Sequence, residues 1–528
     1  MSETPASATA EVTPGDGDVL RSLRTGFWSG EVPSYWLTRF VFLRALGFVY
    51  SVAFLVLWNQ MLPLFGSRGL MPADRFLDRV RADMSFWDLP TFFYWGASDT
   101  VLRVCAGAGL ALSVCVMLGA ENALLMAALW ALYLSFVHIG QDFYGYGWEI
   151  LLLEAGFLAC FLSPLRSVFP LSAATAPSRP VIWLVRWLVF RVMFGAGMIK
   201  IRGDPCWRDL TCLAYHYETQ PNPHPLSWLL HQAPLWFHQV GVAFNHLVEL
   251  IAPFFVFGPS RARRVAGGLI VAFQGMLIAS GNLSFLNWLT IAIAIPCFDD
   301  ALLRRVLPAR LVRRSEQLES NARPSGALQA GLTVVLCGLV AIASYAPIAN
   351  MLSPRQRMNT SFDPLHLVNS YGAFGSIGKT RDEVILEGTS DATLGPHTRW
   401  REYEFKCKPG DVKRRPCLIT PYHLRIDWQM WFAALSDYQN EPWLVHLMYK
   451  LLHNDPGALS LLDGQPFPNN PPRFVRAELY RYRFTRLGDG SDAYWDRKRI
   501  DTYIAPLSAE DPSLIEFLAI HHWLPDTR

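Results

Sequence analysis

The chain has 528 residues and a formal net charge of +3, with 17% charged and 51% apolar residues, against roughly 25% charged in an ordinary soluble protein. Intrinsic disorder and a small disulfide scaffold are excluded, because the apolar share is high and 9 Cys in 528 residues are dilute. So small a net charge gives no argument for nucleic acid, and the apolar residues gather in blocks long enough to cross a bilayer.

Residues 1–34 read as a cytoplasmic tail, its first part rich in Ser, Thr, Ala, Pro, Gly and acids and expected to be disordered. Phe40–Trp58 is the first apolar span, retained because the polar residues before it form no signal peptide. Val104–Ala120 and Ala123–Val137 follow, separated by the tight joint Glu121-Asn122. Trp148–Ser163, Ile182–Ile201 and Leu235–Phe257 are weaker spans, each with an internal charge. Val265–Phe298 carries no charge over 34 residues. As one helix it would run about 51 Å at 1.5 Å per residue, too long for roughly 30 Å of hydrocarbon. The Ser280-Gly281-Asn282 knuckle divides it into two short helices, and the uncharged Gly326–Ile348 closes the set. About nine spans therefore fill residues 35–350, with an outer loop at 202–234.

Residues 351–528 change character and read as a soluble, β-rich α+β domain. Arg399–Lys408, Phe474–Arg486 and Arg497–Ile504 alternate like half-buried strands, and Val384–Leu386 is a further short one. Trp428–Leu435 and Trp443–Leu452 have helical patterns, the latter ending at Asn454-Asp455-Pro456. Nine spans place the two ends on opposite sides. Arg261, Arg263, Arg264 and Arg304, Arg305, Arg310, Arg313, Arg314 all fall in cytoplasmic loops only if the N-terminus is inside. Residues 351–528 then lie outside the cytoplasm.

Cys105, Cys115, Cys160, Cys297 and Cys337 lie in apolar spans, where a thiol serves as a small hydrophobe. Cys206, Cys212, Cys407 and Cys417 lie on the outer side; four cysteines allow three pairings, of which Cys206–Cys212 and Cys407–Cys417 are the local ones. Their spacings suit neither zinc nor a thioredoxin-like redox site. No metal or cofactor is expected, since hydrolase, phosphate-loop and dinucleotide signatures are missing.

Two groups invite a functional reading beside a structural one. The run from Lys200 to Pro221 begins where a span leaves the membrane and is dense in charge, aromatics and Pro. It suits a loop lining a cavity, or a belt anchoring helix ends. Glu154, Arg191 and Glu249, with His246 one turn earlier, lie inside spans. Such charges cost roughly 3 kcal/mol each unless paired or hydrated. They read as an Arg191–carboxylate ion pair or as a hydrated polar cavity. Gly145-Tyr146-Gly147 reads as an aromatic joint anchoring a span entry.

The run RGDPCWRDLTCLAYHYETQPNPHPLSW (202–228) closely resembles the lipase maturation factor family. So do RGLMP (68–72), FYGYGWEILLLEAGF (143–157), FNHLVELIAPF (244–254), NSYGAFG (369–375), IDWQMWFAAL (426–435) and ELYRYRFT (478–485). The resemblance implies a multipass protein, in animals of the endoplasmic reticulum membrane; in a bacterium the inner membrane would take its place. It implies that the lumenal part helps secreted homodimeric lipases reach their active fold, so the expected partners are a secreted client and membrane lipid. Trp207, Arg208, Tyr215 and Tyr217 are the expected exposed client contacts, because Trp, Tyr and Arg dominate binding hot spots. Trp428 and Trp431 are expected to pack the core.

A fainter likeness links Ala196-Gly197-Met198-Ile199-Lys200, with Asp204 and Trp207, to the vitamin K-dependent gamma-carboxylase. It implies an alternative: a membrane enzyme on a lipid-soluble or quinol-like substrate, with Lys200 as base. Gln141-Asp142-Phe143-Tyr144 departs from that enzyme's His-containing segment, which counts against its chemistry here.

Overall fold

The computed structural model describes residues 33–524, apart from 166, 168, 173–174 and 324–325. The expected disordered segment of the tail lies outside the described residues. All nine expected spans are helical. They are α1 (Trp36–Phe65), α2 (Asp99–Leu118), α3 (Ala123–Ile139), α4 (Gly147–Leu162), α5 (Arg179–Arg202), α6 (Leu235–His246) with its continuation to Phe255, α7 (Ser260–Ser280), α8 (Leu286–Ala294) and α9 (Ala327–Ala343).

Length alone does not make all nine crossings. Among the described residues five helices are long and apolar enough: α1, α2, α5, α7 and the run Ala327–Leu352. The others are short or broken, so the chain is a multipass membrane protein whose number of crossings the helix lengths do not fix.

Local chemistry sets the breaks. The Asn122 side chain accepts from the Leu124 and Leu125 amides and starts α3. Pro253 cannot donate to the Glu249 carbonyl, and its ring crowds that oxygen. The chain relaxes there into a π turn, Leu247–Ile251, that carries Glu249. At the Ser280-Gly281-Asn282 knuckle, buried Asn282 donates to the Asn222 and Cys417 carbonyls and accepts from the Ile419 and Thr420 amides.

The C-terminal part holds four strands, β1 (Arg381–Thr389), β2 (Arg401–Glu402), β3 (Phe474–Phe484) and β4 (Trp495–Ser508), in one antiparallel sheet ordered β2-β1-β3-β4. Helices α10 (Arg425–Ala433) and α11 (Pro442–Leu452) lie between β2 and β3 in sequence. The expected strand Arg399–Lys408 shrinks to two residues, because its later backbone groups pair elsewhere. The Cys407 and Lys408 amides donate to Asp427, and Phe405 bridges to Leu462.

The C-terminal part does not keep a core to itself. One buried apolar cluster runs from Phe42 through α4 and α5 to Trp443 and Trp523. The segment 369–375 lies directly on α5. A Cβ on Gly195 would stand 2.6 Å from the Tyr371 carbonyl, and one on Gly203 would stand 2.1 Å from that of Gly375. Only glycine permits this approach.

Candidate functional site

Three buried ion pairs sit where the helices meet the C-terminal part. On α4 and α5, both oxygens of Glu154 accept from Arg191, whose guanidinium also donates to the Asn369 carbonyl at 2.6 Å. Glu154 further accepts from the Asn369 amide at 3.1 Å and the Tyr371 hydroxyl at 2.7 Å. This arrangement satisfies most of what two buried charges need, which makes the pair a joint between the two parts.

Glu249 belongs to a different pair. Lys200 donates to both of its oxygens, at 2.6 and 2.7 Å, and to Asn245 Oδ1 at 3.2 Å, while Asn245 donates back to Glu249 at 2.8 Å. The expected Arg191–carboxylate pair is thus the one with Glu154, and Lys200, at the end of the neighbouring span, neutralises Glu249. His246 joins neither pair; its ring contacts the Trp207 carbonyl at 2.9 Å.

The third pair was not visible as a pair in the sequence. Arg425, on α10, donates to Glu149 at 2.8 Å and to the Phe143 carbonyl at 2.5 Å. Its guanidinium lies 3.4 Å from the Tyr144 ring centroid. Both side chains are fully buried, and Glu149 also accepts from the Tyr133 hydroxyl.

A cavity of about 320 Å³ lies among these elements. Val192, Met193, Ala196 and Lys200 of α5 line it, together with Glu249, Gln274 and Asn287 from the helices that follow and Phe374, Trp428 and Phe432 from the C-terminal part. Tyr146 and Trp148 line it as a stacked pair, 4.4 Å apart with ring planes 9° from parallel. Gly145-Tyr146-Gly147 thus shapes a buried wall; Tyr146 and Trp148 are both buried. His216, also in the lining, is pushed down to about 4 by burial and by Lys200, so its imidazole is neutral.

Two expected surface contacts are buried. Trp207 is 2% exposed: the Cys206–Cys212 disulfide loop folds inward, its indole donates to the Phe374 carbonyl at 2.9 Å, and Lys200 Nζ lies 5.0 Å from its ring. Tyr217 is buried against His238. Arg208 is exposed and Tyr215 half-buried. The other disulfide joins Cys407 and Cys417. Trp428 is buried, and Trp431 donates to the Thr219 carbonyl. Among the described residues no cluster of His, Cys, Asp or Glu could hold a metal ion.

Comparison with known proteins adds the family. The model for the lipase maturation factor transmembrane domain matches residues 37–305, and that for the lipase maturation factor C-terminal domain matches 367–505. The chain belongs to the lipase maturation factor family. Lipase maturation factor 1 of Bos taurus is 48% identical over 95% of this chain and 94% of its own. That of Homo sapiens is 49% identical over 90% and 89%. Lipase maturation factor 2 of Gallus gallus is 31% identical over 92% and 83%. No solved structure matches. These lipase maturation factor matches span both parts, and nothing in them supports the enzyme reading of Lys200.

Proposed function

We propose that this chain is a membrane-embedded maturation factor that helps secreted lipase-type clients reach their active fold. It acts from the side that holds the C-terminal part: the endoplasmic reticulum lumen in a eukaryote, the periplasm in a bacterium. The observation that carries the reading is the 48% identity to a protein named lipase maturation factor 1, continuous through both parts. The geometry agrees with it. Arg191–Glu154 with Asn369, and Arg425–Glu149, fasten the C-terminal part to the helices, so it offers a client a fixed surface.

Of the expected client contacts, Arg208 and Tyr215 remain accessible. A second exposed aromatic set lies between α1 and α2, where Trp87 and Trp95 are 80% and 74% exposed. This connection leaves α1 at the end that touches the C-terminal part, through Gln60 to the His423 carbonyl and His446 to the Leu70 carbonyl. Trp87 and Trp95 also suit an interfacial belt, so Arg208 and Tyr215 make the sharper test. Co-expression of a secreted homodimeric lipase with the Arg208→Ala/Tyr215→Ala variant is expected to lower the lipase's specific activity in the medium, with the abundance of the factor unchanged. Full client activity with this variant would remove these two residues from the client surface.

A further inference from the structure

We propose that the cavity beneath the C-terminal part is a binding site for an uncharged amphipathic lipid, with a hydrocarbon body and a hydroxyl- or ester-bearing head. The site stands on the cavity alone and does not depend on the client role.

The first argument is charge. Lys200 and Glu249 are the formal charges in the lining, and they satisfy each other through two contacts of 2.6 and 2.7 Å with Asn245 bridging. His216 is neutral there. An anionic head would meet the Glu249 carboxylate, and a cationic one would compete with Lys200. Neither finds an unpaired counter-charge, and burying a charge without one is costly.

The second argument is the set of polar atoms that have no protein partner. Tyr146 Oη, Trp148 Nε1, His216 Nδ1, Asn287 Oδ1 and Trp428 Nε1 are buried and make no hydrogen bond among the described residues. All five residues line the cavity and are at least nine-tenths buried. Buried polar groups are ordinarily satisfied, so five around one cavity mark a place where a ligand completes the pattern. An indole N–H only donates, an amide oxygen only accepts, and a phenol does either. A glycerol-type hydroxyl, which donates and accepts, answers that mixture, with an ester carbonyl as a further acceptor, whereas a pure hydrocarbon does not.

On the spanning helices Val192, Met193, Ala196, Leu277 and Leu286 form an apolar strip of the wall beside the polar Gln274, Asn287 and Thr290. The polar atoms of Tyr146, His216 and Trp428 come from the loop and C-terminal side. An apolar strip next to unpartnered polar atoms matches an amphiphile, its chain along the strip and its head on those atoms. About 320 Å³ lies at the small end of ligand pockets, enough for a head and a medium chain.

The test uses the full chain in phosphatidylcholine nanodiscs and a photoactivatable 1-monodecanoylglycerol carrying a diazirine in the acyl chain. Labelling is expected to saturate and to map to peptides containing residues 192–216, 371–376 or 428–432. Unlabelled monodecanoylglycerol should compete at least tenfold better than decanoate or decyltrimethylammonium at neutral pH. Ala196→Trp fills the wall and should abolish the saturable labelling. Trp428→Phe keeps an aromatic side chain and deletes the indole donor, so competition by monodecanoylglycerol should weaken by about 3–10-fold, the range for one net hydrogen bond. This second variant decides the matter if Ala196→Trp does not fold. Non-saturable labelling, equal competition by decanoate, or an unchanged Trp428→Phe would each overturn the site and leave a water-filled polar pocket.

Discussion

Breaking the Arg425–Glu149 pair is expected to loosen the C-terminal part from the helices. Glu149→Leu leaves a fully buried guanidinium with the Phe143 carbonyl and the Tyr144 ring as its remaining partners. Arg425→Met leaves a fully buried carboxylate with the Tyr133 hydroxyl. Removing one partner of a buried pair costs about 3–5 kcal/mol, a large share of the roughly 5–15 kcal/mol that holds a fold. Unfolding entropy of about 2.1 cal/mol/K per residue gives about 1 kcal/mol/K over the chain, so each single variant should unfold roughly 3–5 °C lower. The double variant Glu149→Leu/Arg425→Met removes both charges. It should recover most of the loss, short of about 1–3 kcal/mol for the Tyr133 hydroxyl left without its acceptor. Tryptophan fluorescence of the detergent-purified protein reads all three midpoints. Single variants that match the wild type, or a double variant whose loss equals the sum of the singles, would refute the reasoning.

Acidification is expected to destabilise the fold below about pH 6.5, because burial pushes His216 to about 4 and His446 to about 3. Their unfolded forms bind protons first, so stability falls as pH drops from about 6.5 toward those values, by about 2 kcal/mol for each at pH 5. Asp427, pushed up to about 6 by burial, works in the opposite sense and offsets about 1 kcal/mol at pH 5; a midpoint that does not fall between pH 7 and 5 would contradict the balance. The disulfides Cys206–Cys212 and Cys407–Cys417 close loops of sequence separation 6 and 10, so each should contribute about 2–3 kcal/mol on the loop-entropy model. Non-reducing peptide mapping should find both, and free thiols at all four positions would overturn the pairing. Trp207→Ala should lower the abundance of the factor itself, since Trp207 is a buried part of the loop against Phe374; normal abundance with lost client activity would return it to the client surface.

The sequence made the helical spans and three of the four strands legible, because apolar runs and alternation are local patterns. It located Glu154, Arg191, Lys200 and Glu249 and read an Arg191–carboxylate pair, but not which carboxylate Arg191 takes or that Lys200 takes the other. Charge type shows that a partner is needed; which helix supplies it is a matter of packing. Glu149 passed unnoticed as an ion-pair member at the start of a span, and its partner Arg425 lies 276 positions away. Trp207 and Tyr217 read as exposed because a loop rich in charge and Pro reads as surface. The disulfide and the close approach at Gly203 turn that loop inward, and no local pattern announces such a turn. One signal was present: Gly-containing NSYGAFG is short, uncharged and aromatic, which suits a segment pressed against other backbone.

The central claim is that this chain matures a lipase, and rescue tests it most directly. In cells that lack their own lipase maturation factors, a secreted homodimeric lipase is expressed with the full chain, with the Arg425→Met variant, or alone. Specific activity of the lipase in the medium, per mass of lipase, is the quantity to measure. It is expected to rise severalfold with the full chain and to stay near the level of the lipase alone with the variant. Specific activity unchanged by the full chain, present in the membrane at normal abundance, would contradict the assignment of lipase-type clients.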